Sequence, residues 1–414
     1  MYDNILATID VGTDSIKILV AEKREDFQDF EVLGFVQAPC SGVVKGAVVD
    51  VNEVAKSIKY AIGKLSKIYS EEIGSVYLNI GGKQISSTDA EGSIIVSMAN
   101  KKILKKDIKR VLNSSIPFAI KNEKEIIGVF PKEYMIDDVK TDNPENMRGK
   151  KLKAKTIILT VLTPNLEKLK RAVTQSGLRI AKIVPTFLAN AFVVLGESQK
   201  ENGVALIDIG ANNIDLSIFK NNKLIYFSAL PFGSANITND IAVKLNCGIK
   251  TAERIKREIE SLLDEEKTNK KKVELTQGKN EWEENLVFSP KDIYNNVILA
   301  RLQEMLEQVG LEIGKSTKKE LLPAGAVIVG GGAELFDIVN IAKKKLHLGV
   351  EIGLPKSFSL INENPGAVTV CGLALMKHQD KGQSGKFATS IKMIEGNIKK
   401  SLKGAIERIK NLKQ

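Results

Sequence analysis

An aspartate followed two residues later by a glycine stands at the end of an apolar run twice in this chain, as IDVGTDSIK at residues 9–17 and as IDIGANNID at residues 207–215. Each run breaks at Asp-x-Gly and then resumes, as IKILVAE or LSIF, which is the pattern of two strands joined at a hairpin head. Backbone N–H groups at such a head converge on phosphate oxygens. A carboxylate there holds waters on a Mg²⁺ ion carried by those phosphates. Asp10 and Asp208, 198 residues apart, are the two carboxylates, and Asp208 is the candidate catalytic one. Lys17 adds a point charge for phosphate seven residues after Asp10. A third element, VIVGGGAEL at residues 327–335, passes from strand to helix through Gly330, Gly331 and Gly332, where the missing Cβ lets the backbone approach a base or a sugar. One Asp-x-Gly turn is weak evidence. Two copies and the triple glycine, in this order, point to one nucleotide cleft between two related halves.

Other chemistries are excluded by composition. With His347 and His378 as the two histidines, a Ser-His-Asp triad or a multi-histidine metal site lacks its imidazoles. His347 reads as a helix-end residue and His378 as part of a polar connector. Cys40, Cys247 and Cys371 lie far apart and outside any C-x-x-C spacing, so free thiols in a reducing compartment are expected. The sequence begins without a basic flank and apolar core, and no 18 apolar residues run together, so neither secretion nor membrane spanning is expected.

The elements that must position the cleft follow from periodicity. After the first hairpin comes a helix in residues 52–69 with Val54, Ile58, Ala61, Ile62, Leu65 and Ile68 on one face, then a buried strand, SVYLNIGG. From Lys83 the texture changes to short alternating strands around one helix, as in an inserted small domain. The expected division is a first α/β core over 1–82 and 161–186, an insert over 83–160, and a second core over 187–235 and 308–360. A small helical unit over 236–307, a return to the first core over 361–376, a linker over 377–386 and a terminal helix over 387–414 complete it. The lone Trp282 reads as an edge residue over a small core.

The two hairpins, the helix TAERIKREIE and the turn VIVGGGAEL resemble the nucleotide-binding actin superfamily over nearly the whole chain. VYLNIGG, NPENMRGKKL, GVALIDIG and LPFGSANITNDIA are similar to the FtsA family of bacterial cell-division proteins. The resemblance implies an α/β, actin-like (ribonuclease H-like) two-domain fold with a duplicated core and an FtsA-type inserted subdomain. It implies ATP and Mg²⁺ as cofactors. Phosphate and metal contacts fall to Asp10, Gly12, Thr13 and Lys17 and, in the second hairpin, to Asp208, Gly210, Asn212 and Asn213. Glu253 and Lys256 are to line the nucleoside, and Gly331, Gly332 and Glu334 the adenosine turn. Two departures bear on chemistry. Ala211, Asn212 and Asn213 replace a glycine-rich run, and Val184 stands before Pro185, where related chains often carry a Gln or Glu that orients water. Loss of such a group costs about 10² to 10⁴ in rate, so hydrolysis is expected to be slow or absent.

The formal charge of +11 is concentrated at one end. Eight basic residues from Lys386 to Lys413, among them Lys399, Lys400 and Lys403, face two acidic ones, so more than half the excess lies in the last 29 residues. Phe387, Ile391, Ile394, Ile398, Leu402, Ala405, Ile409 and Leu412 fall on one helical face opposite these lysines. A helix apolar on one side, basic on the other and weakened by Gly396 and Gly404 suits folding on an anionic lipid surface rather than nucleic acid. The family ends in such a helix, polymerises, recruits other division proteins and docks the C-terminal tail of FtsZ on its small helical subdomain. There Arg301 either pairs with that acidic tail or is an ordinary solvated arginine. The localisation implied is the cytoplasmic membrane face at the division site. A small-molecule kinase of the same superfamily is the competing reading, with Asp215 as the one spare acid near Asn213; a pilus-assembly actin homologue is a third.

Overall fold

The computed structural model describes residues 5–23, 29–96, 102–116, 124–269, 273–275, 286–316 and 322–381. Two five-stranded sheets organise them, and both are built in the same order. In the first, Phe30–Pro39, Ser15–Lys23, Ile5–Val11, Ser75–Ile80 and Arg179–Pro185 lie side by side. In the second, Lys223–Leu230, Ile214–Lys220, Val204–Ile209, Ala326–Val329 and Val350–Ile352 do the same. Each starts as a three-strand antiparallel meander and continues as parallel strands. The duplication inferred from two short runs is a duplication of whole sheets.

The central strand Ile5–Val11 is buried along almost its full length, because helices cover both faces of its sheet. One face packs on helices Val51–Leu65 and Thr163–Gln175, the other on helix Val368–Lys381. Helix Val51–Leu65 starts where the Asp50 carboxylate accepts from the N–H groups of Asn52 and Glu53. It buries Val54, Ile58, Ala61 and Leu65 as their spacing requires, but it ends before Ile68, which is 61% exposed. The second sheet packs on helices Ser234–Leu245, Ile249–Asn269 and Leu299–Ser316.

The insert is a third sheet, in the order Ile85–Ile95, Lys151–Leu162, Lys124–Ile136 and Val139–Thr141, with helix Lys105–Ser115 on one face. Its three main strands are 11, 12 and 13 residues long, not short as the broken alternation implies. The pattern breaks because the strands carry β-bulges, one of them where Pro131 pairs with Thr156. The other face is not free. Phe130 of the insert stands edge-on to Phe187, which packs at a tilt on Phe227 of the second sheet, with ring centroids 6.0 and 4.9 Å apart.

Two further expectations change. His378 belongs to helix Val368–Lys381, not to a connector, and its ring stands edge-on to Phe30 with centroids 5.6 Å apart. The expected linker therefore begins as helix, because Lys377 is buried against the first sheet. That helix is fastened near its end: Lys377 Nζ donates to the carbonyls of Ser75 (2.9 Å) and Ala7 (3.4 Å). Lys182 and the Tyr77 hydroxyl both donate to Asp380, at 3.0 and 2.8 Å. His347 does end a helix, in the left-handed region at φ 53°. All three cysteines are free. Trp282 and the expected lipid-facing residues of the terminal helix lie outside the described residues. Among the described residues no helix is long and apolar enough to cross a membrane.

Candidate nucleotide site

The heads of the two hairpins face one another across a cleft of about 570 Å³. Both close in the same way, the N–H of Gly12 donating to Ser15 O at 3.0 Å and that of Gly210 to Asn213 O at 2.9 Å. Ala211 and Asn212 make the second turn without a left-handed residue, so the missing glycines cost no backbone strain there. Of the residues singled out by sequence, Asp10, Gly12, Thr13 and Lys17 line the cleft from the first half, and Asp208, Gly210 and Asn213 line it from the second. Glu253, Lys256, Gly331 and Glu334 complete the far wall. Asn212 and Gly332 stand outside the lining. Gly332 serves packing instead, since a Cβ there would meet Ile209 Cγ2 at 2.2 Å.

Strand register fixes the charges. Asp10 lies opposite Lys17 in the first hairpin, and their side chains meet at 3.3 Å. Asp208 lies opposite Asp215 in the second, so an acid occupies the position equivalent to Lys17. Like charges directly across a strand pair repel. Burial first, then the charges of Asp215 and Asp10, push Asp208 up to about 7 against the Asn190 hydrogen bond and Lys17. Burial pushes Asp215 up to about 6, opposed by hydrogen bonds from the Gly82 N–H and Asn213.

The carboxylates are held by residues that the sequence reading passed over. Asn79, at the end of strand Ser75–Ile80, donates to Asp10 Oδ1 at 2.6 Å and accepts from the Val11 N–H at 2.8 Å. Asn190 donates to Asp208 Oδ2 at 2.8 Å and accepts at 2.9 Å from Thr369, at the start of the closing helix. On the far wall, Lys256 donates to Thr238 Oγ1 at 2.9 Å and pairs with Glu253 at 2.7 Å, while Arg257 donates to Glu253 at 2.8 Å. Burial alone raises Glu253, but the hydrogen bonds from Lys256, Thr238 and Arg257 outweigh it and hold the carboxyl below its ordinary value. Val184, before Pro185, is buried, and the polar side chain at this strand end is Thr186, which lines the cleft.

The donor set fits a divalent cation held at second hand. Among the described residues no three carboxylate, imidazole or thiol groups converge closely enough to ligate a metal directly. Three crowded carboxylates, with the pKa of Asp208 raised by burial first and then by the other two, are an environment that a hydrated Mg²⁺ on phosphate oxygens would relieve.

The family model described as cell division protein FtsA matches residues 205–372, and the model described as the SHS2 domain inserted in FtsA matches residues 82–160. The chain belongs to the FtsA family. It is 29% identical to the cell division protein FtsA of Bacillus subtilis (strain 168) over 374 residues, which cover 90% of this chain and 83% of that one. It is 28% identical to the FtsA of Pseudomonas aeruginosa over 386 residues, covering 92% and 91%. Among solved structures, this FtsA-family chain is similar to the PilM-PilN type IV pilus biogenesis complex (TM-score 0.61, 14% identity, covering 90% of this chain and 98% of that one). It is also similar to the MreB5 of Spiroplasma citri bound to ADP (TM-score 0.54, 13% identity, covering 92% and 100%). The fold is thus actin-like, with a duplicated core and an FtsA-type insert.

Proposed function

We propose that this FtsA-family division protein binds ATP with Mg²⁺ in the cleft, polymerises on the cytoplasmic face of the membrane and tethers FtsZ filaments there. The observation that carries the reading is the pair of Asp-x-Gly heads facing each other across one cleft whose far wall is the Gly331 turn. A bound Mg²⁺ would neutralise phosphate charge, held through waters by Asp10 and Asp208. Lys17 would balance phosphate charge, Glu253 and Lys256 would border the sugar and base, and the two hairpin heads would border the phosphate oxygens. A solved relative in fold, MreB5, carries ADP.

Hydrolysis is proposed to be slow. The Val184 side chain offers no polar atom to a water. ATP then acts as a conformational signal. The division of the chain given by its sequence is proposed with it: cores over 1–82, 161–186, 187–235 and 308–360, the insert over 83–160, the helical unit over 236–307 and the membrane helix over 387–414. Equilibrium binding of ATP with Mg²⁺, followed by electron microscopy on anionic lipid monolayers, tests the reading. Filaments on lipid with little phosphate release are expected. Absence of nucleotide binding, or monomers turning over ATP on a small acceptor, would overturn it.

A further inference from the structure

At the floor of the cleft the chain leaves the first sheet for the insert through the tight turn Gly82–Gln84, just after Gly81. This turn is held from both halves. On one side the Gln84 amide donates to the carbonyls of Gly46 and Gly81, and the Gly46 N–H donates to Thr13 Oγ1 at 3.3 Å. On the other, the Gly82 N–H donates to Asp215 Oδ2 at 3.0 Å, and Asn213 donates to Asp215 Oδ1, also at 3.0 Å. Thr13 and Asn213 belong to the two hairpin heads. A continuous line of hydrogen bonds therefore runs from one head to the other through the backbone that starts the insert.

The packing gives this line no slack. Gly46 and Gly82 adopt φ of +83° and +78°, and a Cβ on Gly46 would meet Gly81 O at 2.7 Å. A Cβ on Gly81 would meet Thr186 Oγ1 at 2.4 Å. Gln84 also sits at some expense: its Oε1 is buried with no donor among the described residues. Reversing the amide would set that oxygen against two carbonyls, so the side chain is held by its N–H groups alone. The turn and the strand that follows are tied to the second half as well, Lys83 donating to Ala229 O at 3.3 Å and Ser87 to Phe227 O at 2.9 Å. A change in the gap between the heads must therefore be felt at Gly82 and along strand Ile85–Ile95.

We propose that Gln84 and Asp215 are positioning residues that set the separation of the two hairpin heads and tie it to the insert, so that Mg²⁺ and ATP bound between the heads stabilise residues 82–95. The inference rests on the nucleotide reading above. It requires that ATP bind more tightly at one separation of the heads than at others, which is the condition for any ligand-driven change.

Amide hydrogen exchange on the full chain, with and without Mg²⁺ and ATP, tests it in the wild type, in Gln84→Glu and in Asp215→Asn. Gln84→Glu keeps the size and removes both donors; Asp215→Asn keeps the shape and removes the charge. In the wild type, nucleotide slows exchange at both heads and over residues 82–95. In either variant ATP affinity falls about tenfold, the scale of one or two lost hydrogen bonds, and at saturation the heads are still protected while residues 82–95 no longer respond. Equal protection of 82–95 in both variants and the wild type would overturn the proposal, as would wild-type protection confined to the heads. A wild type with no protection at either head removes the nucleotide reading, and the proposal with it.

Discussion

A methyl group on Gly330 would lie 2.3 Å from Asp208 Oδ1 and 2.7 Å from the carbonyl of Ile209, so the glycine-rich turn and the second hairpin touch through a residue with no space for a side chain. Gly330 also adopts φ +85°. Gly330→Ala therefore combines a steric clash with a left-handed backbone, and a loss of ~1–3 kcal/mol of stability is expected from the conformation alone. Gly331→Ala, next to it, meets open space and should leave the urea midpoint unchanged. Similar midpoints for the two variants would contradict the contact.

Asn79 bridges the backbone of Val11 and the carboxylate of Asp10 while itself buried. Asn79→Ala strands the Val11 N–H, for which a cost of ~1–3 kcal/mol is expected. It also frees Asp10 to turn from the cleft. Thermal unfolding should shift downward and ATP affinity should fall; calorimetry on the same sample reads both.

Folded-state pKa values near 7 for Asp208 and 6 for Asp215 mean that the nucleotide-free protein binds more protons than the unfolded chain, whose carboxylates titrate near 3.8. Stability contributed by these two groups is present at low pH and is lost as pH rises from about 4 to 7. Urea midpoints between pH 4.5 and 7.5 should show this fall, and Asp208→Asn should flatten it. An unchanged slope in that variant would assign the pH dependence elsewhere.

Arg301 donates to Asp240 at 2.6 and 3.2 Å and to Glu304 at 2.7 Å, so it is an engaged side chain on a partly exposed helix face. Arg301→Ala should cost no more than ~1 kcal/mol of stability, as surface ion pairs do. Its proposed role predicts a larger effect on binding of an acidic FtsZ tail peptide, with affinity falling several-fold and the salt dependence weakening. Fluorescence anisotropy with that peptide decides between partner contact and a purely local pair.

Removing residues 386–414 deletes eight basic residues and the whole apolar stripe. Co-sedimentation with anionic vesicles should be abolished and ATP binding retained. Raising salt should weaken vesicle binding of the intact chain, because each basic group near anionic lipid contributes about 1 kcal/mol that screening removes.

The hairpins were legible because Asp-x-Gly carries its own geometry: a strand must stop there, and the same stop twice implies two sheets. The carboxylate holders were not. Asn79 looks like any strand-end polar residue, and Asn190 and Thr369 are 179 positions apart yet meet at 2.9 Å. Contacts of that separation leave no periodic trace. The strands of the insert read as short because Pro131 and two bulges break the alternation that reports a strand. In the sequence Asp215 reads only as a spare acid; register gives it meaning, setting it across from Asp208 as Lys17 is set across from Asp10.

The closing helix Val368–Lys381 has the cleft at one end, where Thr369 reaches Asn190, and the root of the terminal segment at the other. Between them Lys377, Tyr77, Lys182 and Asp380 clamp the helix to the first sheet. The arrangement works as a cable gland does. A pull on the terminal segment would meet this clamp before the side chains that hold Asp208. Under the proposed mooring through residues 387–414, load would enter the first sheet at Asp380 and Lys377 and leave the geometry of the cleft in place.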